Sequence, residues 1–330
     1  MDKIVVIGSN SFSGSSFIKS LLSAKKNVYE IHAISRSIQP IEALHPATWP
    51  KKDFKFYQLH MVDDIKKIID LIDNIKPPYI VNYAAQSMVA QSWDVPEDWF
   101  ETNCVATVKL FNYLSKAKYL KKYVHISTPE VYGNCVGSVN EKTPFNPTTP
   151  YAISRAAGDM TLKAFYEAYN FPFILTRAAN VYGPGQALYR IIPKTIYSIL
   201  NKQKLKLHGG GVSERSFIHI DDVSSATLSL ILKGKIGETY HISTEQLISI
   251  KRLVEQICNT MNVDFNDIVE LDDERLGKDM IYDLDSTKIK KEIKWRSLIE
   301  LTDGVNQVVE WMTSNINILN TVNSNYIHKR

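Results

Sequence analysis

Residues 3–14 read Lys-Ile-Val-Val-Ile-Gly-Ser-Asn-Ser-Phe-Ser-Gly: a short apolar run, then a glycine, then a second glycine six positions later. The apolar run has the length and composition of a buried strand. Glycines at the turn that follows let a backbone come close to a pyrophosphate, whose charge is favoured at a helix N-terminus. Gly8, Asn10, Ser11, Phe12 and Gly14 are therefore candidate cofactor contacts, with Ser11 standing where the usual pattern has its middle glycine. A tight strand-to-helix turn without a ligand would need the same two glycines.

The chain that follows decides for the larger architecture. Apolar runs at Ile31–Ile34, Phe54–Leu59, Tyr79–Tyr83, Tyr123–Ile126 and Phe173–Thr176 alternate with helical patterns at Phe17–Leu22, Ile65–Ile75, Asp98–Leu114 and Tyr151–Tyr169. Such alternation predicts an α/β fold, a Rossmann-type doubly wound parallel sheet with helices on both faces. The pattern breaks near residue 180. Residues 1–180 are expected to form the dinucleotide-binding domain. Residues 181–313 are expected to form a smaller C-terminal α/β substrate-binding lobe with segments returning to the main sheet. Residues 314–330, rich in Asn and polar groups, read as a flexible tail.

Composition bounds the function. The 330 residues are 44% apolar and 22% charged, with a formal net charge of +4 that is not gathered into a basic run. This is an ordinary globular composition with no nucleic-acid signature. No apolar run approaches the ~20 residues needed to span a bilayer. Cys104, Cys135 and Cys258 are far apart without metal spacing, and the chain enters a strand pattern directly. Together these features read as a cytoplasmic protein with reduced thiols. The eight histidines are scattered, and no metal site is predicted.

The second strand ends in Ile34-Ser35-Arg36-Ser37. An acidic residue usually grips the ribose 2′-hydroxyl of NAD at this point. Arg36 offers instead a fork suited to a 2′-phosphate, which favours NADP and leaves NAD possible; a solvated loop arginine would look the same. Asp63, after the third strand, is a candidate for the adenine amino group, or a simple turn residue.

Further on come Ser127-Thr128-Pro129-Glu130-Val131-Tyr132-Gly133 and Pro150-Tyr151-Ala152-Ile153-Ser154-Arg155. A Tyr and a cation four apart on a helix share one face. The cation favours the phenolate, so Tyr151 is expected to have a lowered pKa and to move a proton to or from a hydroxyl, with Thr128 sharing the hydrogen bond.

With these segments the sequence resembles the extended short-chain dehydrogenase/reductases, the sugar-nucleotide epimerase/dehydratase family, over roughly residues 3–312. Also shared are Asn82-Tyr83-Ala84-Ala85-Gln86-Ser87, Thr102-Asn103, Arg177 to Pro184, Arg215 to Val223 and Glu274 to Asp279. The resemblance implies that Ala84 and Ala85 pass beneath the cofactor. It implies that Ser87 and Asn180 face the substrate, and that Arg215 and Arg275 clamp a nucleotide diphosphate. Tyr151, Arg155, Thr128 and Glu130 would be catalytic, with Thr128 and Glu130 also touching substrate and Tyr151 and Arg155 the cofactor. The substrate would be a GDP- or dTDP-linked sugar, and the two long helices resemble those that form homodimers.

Two departures stand out. The family's Lys is Arg155 here, which keeps the charge and its donors for the nicotinamide ribose but is bulkier and planar. The dTDP-glucose dehydratase pattern has Asp-Glu where this chain has Pro129-Glu130; the GDP-mannose dehydratase pattern, which keeps only the Glu, is the better guide. The resemblance thus implies a 4,6-dehydratase. A C4 epimerase or oxidoreductase needs only Tyr151, Thr128 and the cofactor. A non-catalytic module would be consistent with Ser11, Pro129 and Arg155.

Overall fold

The computed structural model describes residues 1–23, 29–38, 53–134, 137–272 and 281–329, with residues 281 and 282 described through their backbone alone. The strands in chain order are β1 Asp2–Ile7, β2 Tyr29–Ser35, β3 Phe54–Gln58, β4 Tyr79–Asn82, β5 Lys122–Ile126, β6 Ser138–Val139 and β7 Phe173–Ala178. They continue with β8 Asn180–Tyr182, β9 Leu205–His208, β10 Glu214–His219, β11 Glu238–Ile242, β12 Leu247–Ser249, β13 Val269–Asp272 and β14 Ile281–Leu284. Seven of them form one parallel sheet in the order β11-β7-β5-β4-β1-β2-β3.

Period-two alternation in β1 explains why both faces are covered. Ile4 and Val6 pack against the helices Phe12–Ser23 and Ile220–Lys233. Val5 and Ile7 point the other way, into the helices Ile65–Ile75, Thr107–Leu114 and Pro150–Tyr169. A strand buried on both faces reads as a continuous apolar run, which is what made it legible. The order reverses beside β1, and the crevice at its carboxyl end, between β1 and β4, is where such sheets take ligands.

The predicted helix Asp98–Leu114 is observed as three pieces. An α-turn Pro96–Phe100 and the helix Thr107–Leu114 flank a π-helical stretch, Glu101–Ala106. Asn103 explains what this bulge accomplishes. Its side chain accepts from the Gln86 backbone N–H (2.9 Å) and donates to the Gln86 carbonyl (3.0 Å) and Ser154 Oγ (3.0 Å), pinning the segment after β4 to the helix Pro150–Tyr169. Gly158 makes this approach possible, because a Cβ there would lie 2.9 Å from the Asn103 carbonyl.

Residues from 180 on, with β6 from the first part, build a second, mixed sheet, β12-β10-β14-β6 with β8 also on β10, and a two-stranded pair, β13-β9. The helices Ile191–Leu200, Ile250–Thr260 and Leu301–Leu319 share a third core. β11 joins the main sheet and β6 joins the second, so the chain passes repeatedly between the two parts. The last helix continues to Leu319, beyond the expected start of the tail at 314. Its extension carries buried Leu319, with Val322 packed beside it, so the apolar period persists past that boundary. Residues 326–329 make hydrogen bonds and ring contacts, in contrast to the loose tail expected there. No helix among the described residues is long and apolar enough to cross a membrane.

Candidate active site

The glycine loop closes β1 onto the helix Phe12–Ser23. Gly8 has φ +80°, and a Cβ on it would lie 2.5 Å from the Ala84 backbone nitrogen. A Cβ on Gly14 would meet the Gly8 carbonyl at 2.4 Å. Both glycines are therefore required by close packing and, at Gly8, by a left-handed backbone. Ser11 is tolerated in place of glycine because its hydroxyl donates to the Gly8 carbonyl (2.7 Å) and accepts from the Gly14 N–H (3.1 Å). The Asn10 amide donates to the Ser37 and Ile38 carbonyls (2.8 and 3.0 Å), tying the loop to the end of β2 beside Arg36. Phe12 opens the helix. Asp63 pairs with His60 (3.1 Å) in the turn after β3.

Across the crevice, Thr128 lies two residues past β5 and caps a 3-10 turn, Pro129–Tyr132, by accepting from the Glu130 N–H (3.3 Å). Pro129 occupies the first position of that turn, where a fixed φ and a missing N–H cost nothing. Thr149 caps the helix Pro150–Tyr169 in the same way, accepting from the Ala152 N–H (3.1 Å). Tyr151 thus enters on the first turn, buried and hydrogen-bonded to Thr128. The two segments whose spacing was read from the sequence do meet.

The Tyr151 ionisation differs from expectation. Burial pushes its pKa above the ordinary tyrosine value, and the Glu130 carboxylate pushes the same way. Arg155, Thr128 and Arg190 pull it down without cancelling the burial. The cation expected to lower it is present but does not dominate, because the phenol is desolvated.

Arg155 explains part of this. It is 2% exposed, and its guanidinium donates to the Ile126 carbonyl at the end of β5 and lies 3.5 Å from His125 Nε2. An arginine reaches past the place of a lysine ammonium. One guanidinium nitrogen, Nη2, is therefore turned to the end of β5, while Nε has no hydrogen-bond partner among the described residues.

Behind it lies a buried polar network absent from the sequence-based site. Asp159, one further helical step along the Tyr151–Arg155 face, accepts from Ser127 Oγ (2.6 Å) and Arg177 (2.7 Å). Arg177 also donates to Tyr132 Oη (2.6 Å), which bonds His241 Nε2 (2.7 Å). The four-residue spacing of Tyr151, Arg155 and Asp159 was the available signal. Burial lowers the pKa of His125 and of His241 to about 3, and nearby arginines push the same way. Unfolded histidines take up protons near their ordinary value of 6.5, whereas these folded ones do not. Stability is therefore expected to fall as pH drops from ~6.5 toward ~3. Urea midpoints between pH 7.5 and 5 would check this, and His241→Gln should flatten the slope.

The remaining residues fall as follows. Ala84, Ala85 and Ser87 follow β4 at the mouth of the crevice, with Ser87 exposed. Asn180 is exposed at the start of β8, and Arg215 lies on β10, donating to the Glu214 carbonyl (2.7 Å). Arg275 lies outside the described residues. Arg190, which sequence reasoning missed, precedes the helix Ile191–Leu200 and acts electrostatically on Tyr151.

A glycine-loop crevice in a doubly wound sheet, facing a Thr–Tyr pair with a cation four residues on, defines a short-chain dehydrogenase/reductase. The chain belongs to the family described as GDP-mannose 4,6 dehydratase, which matches residues 5–308. A dTDP-D-glucose 4,6-dehydratase of Bos taurus is 30% identical over 95% of this chain and 89% of its own. The crystal structure of a dTDP-glucose 4,6-dehydratase from Streptomyces venezuelae, with NAD bound, superposes with a TM-score of 0.89 at 28% identity, covering 96% of this chain and 98% of that one. A UDP-glucose 4-epimerase from Thermotoga maritima gives 0.86 at 25% identity, over 95% and 99% of the two chains. The homologues and structural neighbours are thus nucleotide-sugar 4,6-dehydratases, with epimerases beside them, and several of the solved neighbours hold NAD.

Proposed function

We propose that this chain is a nicotinamide-dependent nucleotide-sugar 4,6-dehydratase. The observation that carries this is the Glu130 carboxylate, held one residue past Pro129 and close enough to Tyr151 to raise its pKa. An epimerase needs no carboxylate at that point. The crevice fits a dinucleotide: the glycine loop leads into a helix N-terminus, and Arg36 stands where an acidic residue would repel a 2′-phosphate. This favours NADP and accommodates NAD, the cofactor of the solved relatives.

A dinucleotide, which the Gly8–Gly14 loop and Arg36 would hold, would supply the hydride acceptor for C4 of the sugar and the hydride donor for C6. Tyr151 removes the C4 hydroxyl proton, and Thr128 orients that hydroxyl. The ketone so formed acidifies C5, and Glu130 takes the C5 proton. No acid stands at position 129, so Glu130 hands the same proton to the departing C6 hydroxyl, which leaves as water; C5 then takes a proton from solvent through Glu130 as hydride arrives at C6, and Tyr151 releases the proton from the C4 hydroxyl to solvent. Arg155 holds the end of β5, and with it Thr128, in register. Ser87, Asn180, Arg215 and Arg275 are assigned to the nucleotide-sugar, a dTDP- or GDP-linked glucose or mannose. Val105, Ile153 and Met160 are 45%, 43% and 60% exposed on the π-helical stretch and the helix Pro150–Tyr169, the faces proposed to pair two copies of the chain.

Glu130→Gln tests the assignment. With dTDP-glucose and GDP-mannose, the variant is expected to oxidise C4, seen as bound reduced cofactor at 340 nm, with loss of water slowed about a thousandfold. Undiminished water loss would remove Glu130 from the mechanism. A product of unchanged mass and inverted C4 from the unaltered chain would favour the epimerase reading, which Pro129 supports.

A further inference from the structure

The C-terminal segment crosses the mouth of the crevice. The Lys329 carbonyl accepts hydrogen bonds from Arg36 (2.7 Å) and from the Gln86 side chain (2.7 Å). Arg36 follows β2 and Gln86 follows β4, and β1 lies between these strands in the sheet. An atom that touches both stands over the carboxyl end of β1, where the Gly8–Gly14 loop turns.

The anchoring continues back along the segment. His328 Nε2 bonds Asp98 Oδ2 at 2.7 Å, and its ring stacks on Trp99 at 4.9 Å and 17°. Trp99 is fully buried. Tyr326 Oη lies 3.3 Å from His328 Nδ1, and its ring meets Tyr189, from the second part of the molecule, edge-on at 5.4 Å. Five residues from two halves of the structure thus hold four residues of tail. The Gln86 side chain, 3% exposed, lies beneath it.

We propose that residues 326–329 are an internal plug of the dinucleotide crevice: tail and dinucleotide exclude one another, and cofactor enters only when the tail lifts. This rests on the reading of the crevice as the dinucleotide seat. The two ligands call on the same donors. Arg36 cannot give one N–H to the Lys329 carbonyl and to a ribose or its 2′-phosphate at once. A tethered segment needs only weak contacts to compete, because its effective concentration is high. The observed dinucleotide affinity is the intrinsic one reduced by the fraction of molecules with the tail lifted.

The experiment compares the full chain with one ending at Ser324, which keeps the packed helix end at Leu319 and Val322. NAD and NADP are titrated into each by calorimetry. The shortened chain is expected to bind both about tenfold more tightly, NADP gaining more because Arg36 is released. His328→Ala in the full chain, which removes the Asp98 bond and the Trp99 stack without shortening the chain, should move affinity the same way by a smaller factor. A synthetic peptide of residues 325–330 should compete with NAD on the shortened chain. Equal affinities in the two forms, or weaker binding by the shortened one, would overturn the plug while leaving the crevice as the cofactor seat. Binding by neither form would overturn both.

Discussion

Tyr151→Phe is expected to lower turnover of the nucleotide-sugar about a thousandfold while NAD binding persists, the range measured for loss of a positioned general acid–base group. The hydroxyl is held by the Thr128 side chain and sits within the influence of Arg155, Glu130 and Arg190. Phenylalanine keeps the ring and its packing, so the fold and crevice are retained. The pH profile adds a readout that a purely structural role would not move. Burial raises the Tyr151 pKa, so at neutral pH only a minor fraction is phenolate. Turnover should therefore climb with pH on the alkaline side, and the residual activity of Tyr151→Phe should lose that climb. A variant that keeps a tenth of the activity, or the same pH slope, would remove Tyr151 from the proton transfer.

Asp159→Ala is expected to destabilise the protein by about 3–5 kcal/mol, the cost of stranding a buried charge. Asp159 and Arg177 are both fully buried, and the carboxylate is the acceptor for Arg177 and Ser127. Its removal leaves the guanidinium against Tyr132 Oη and the rings of Tyr132 and Phe145 (each 4.9 Å away), stripped of its ion-pair partner. The double change Asp159→Ala with Arg177→Met should recover part of the loss, because it removes the stranded charge as well. Equilibrium denaturation reads both. A loss below ~1 kcal/mol for Asp159→Ala would mean that the pair contributes little. Ser127 precedes Thr128, so the single variant should also loosen Thr128, the proposed partner of the C4 hydroxyl, and activity of the folded fraction should fall with stability.

The fold was legible because strands buried on both faces leave unbroken apolar runs, and the helices between them carry a clear period. The meeting of Thr128 with Tyr151 was legible from two local segments and a helical spacing. The direction of Arg155 was not. Spacing places a side chain on a face but does not say whether a long guanidinium stops at a ligand or runs on to the Ile126 carbonyl. The tail was illegible for a different reason. Its contacts to Arg36, Gln86 and Asp98 span 293, 243 and 230 positions, and a polar segment without periodicity carries no local signal of a distant seat. The π-helical stretch was hidden as well, since Asn103 in a helical pattern gives no sign that it will grip the backbone of Gln86.

The placement of β11 has a consequence for synthesis of the chain. Phe173, Ile174 and Leu175 of β7 are fully buried in the finished molecule, yet β7 gains its outer neighbour only when β11, residues 238–242, pairs with it. On the ribosome, an apolar parallel edge is therefore exposed while some sixty further residues emerge. An open edge of this kind is a template for pairing with other chains. A nascent chain stalled before residue 238 should be a client of holdase chaperones, and expression of residues 1–180 alone should give aggregates in place of a soluble half.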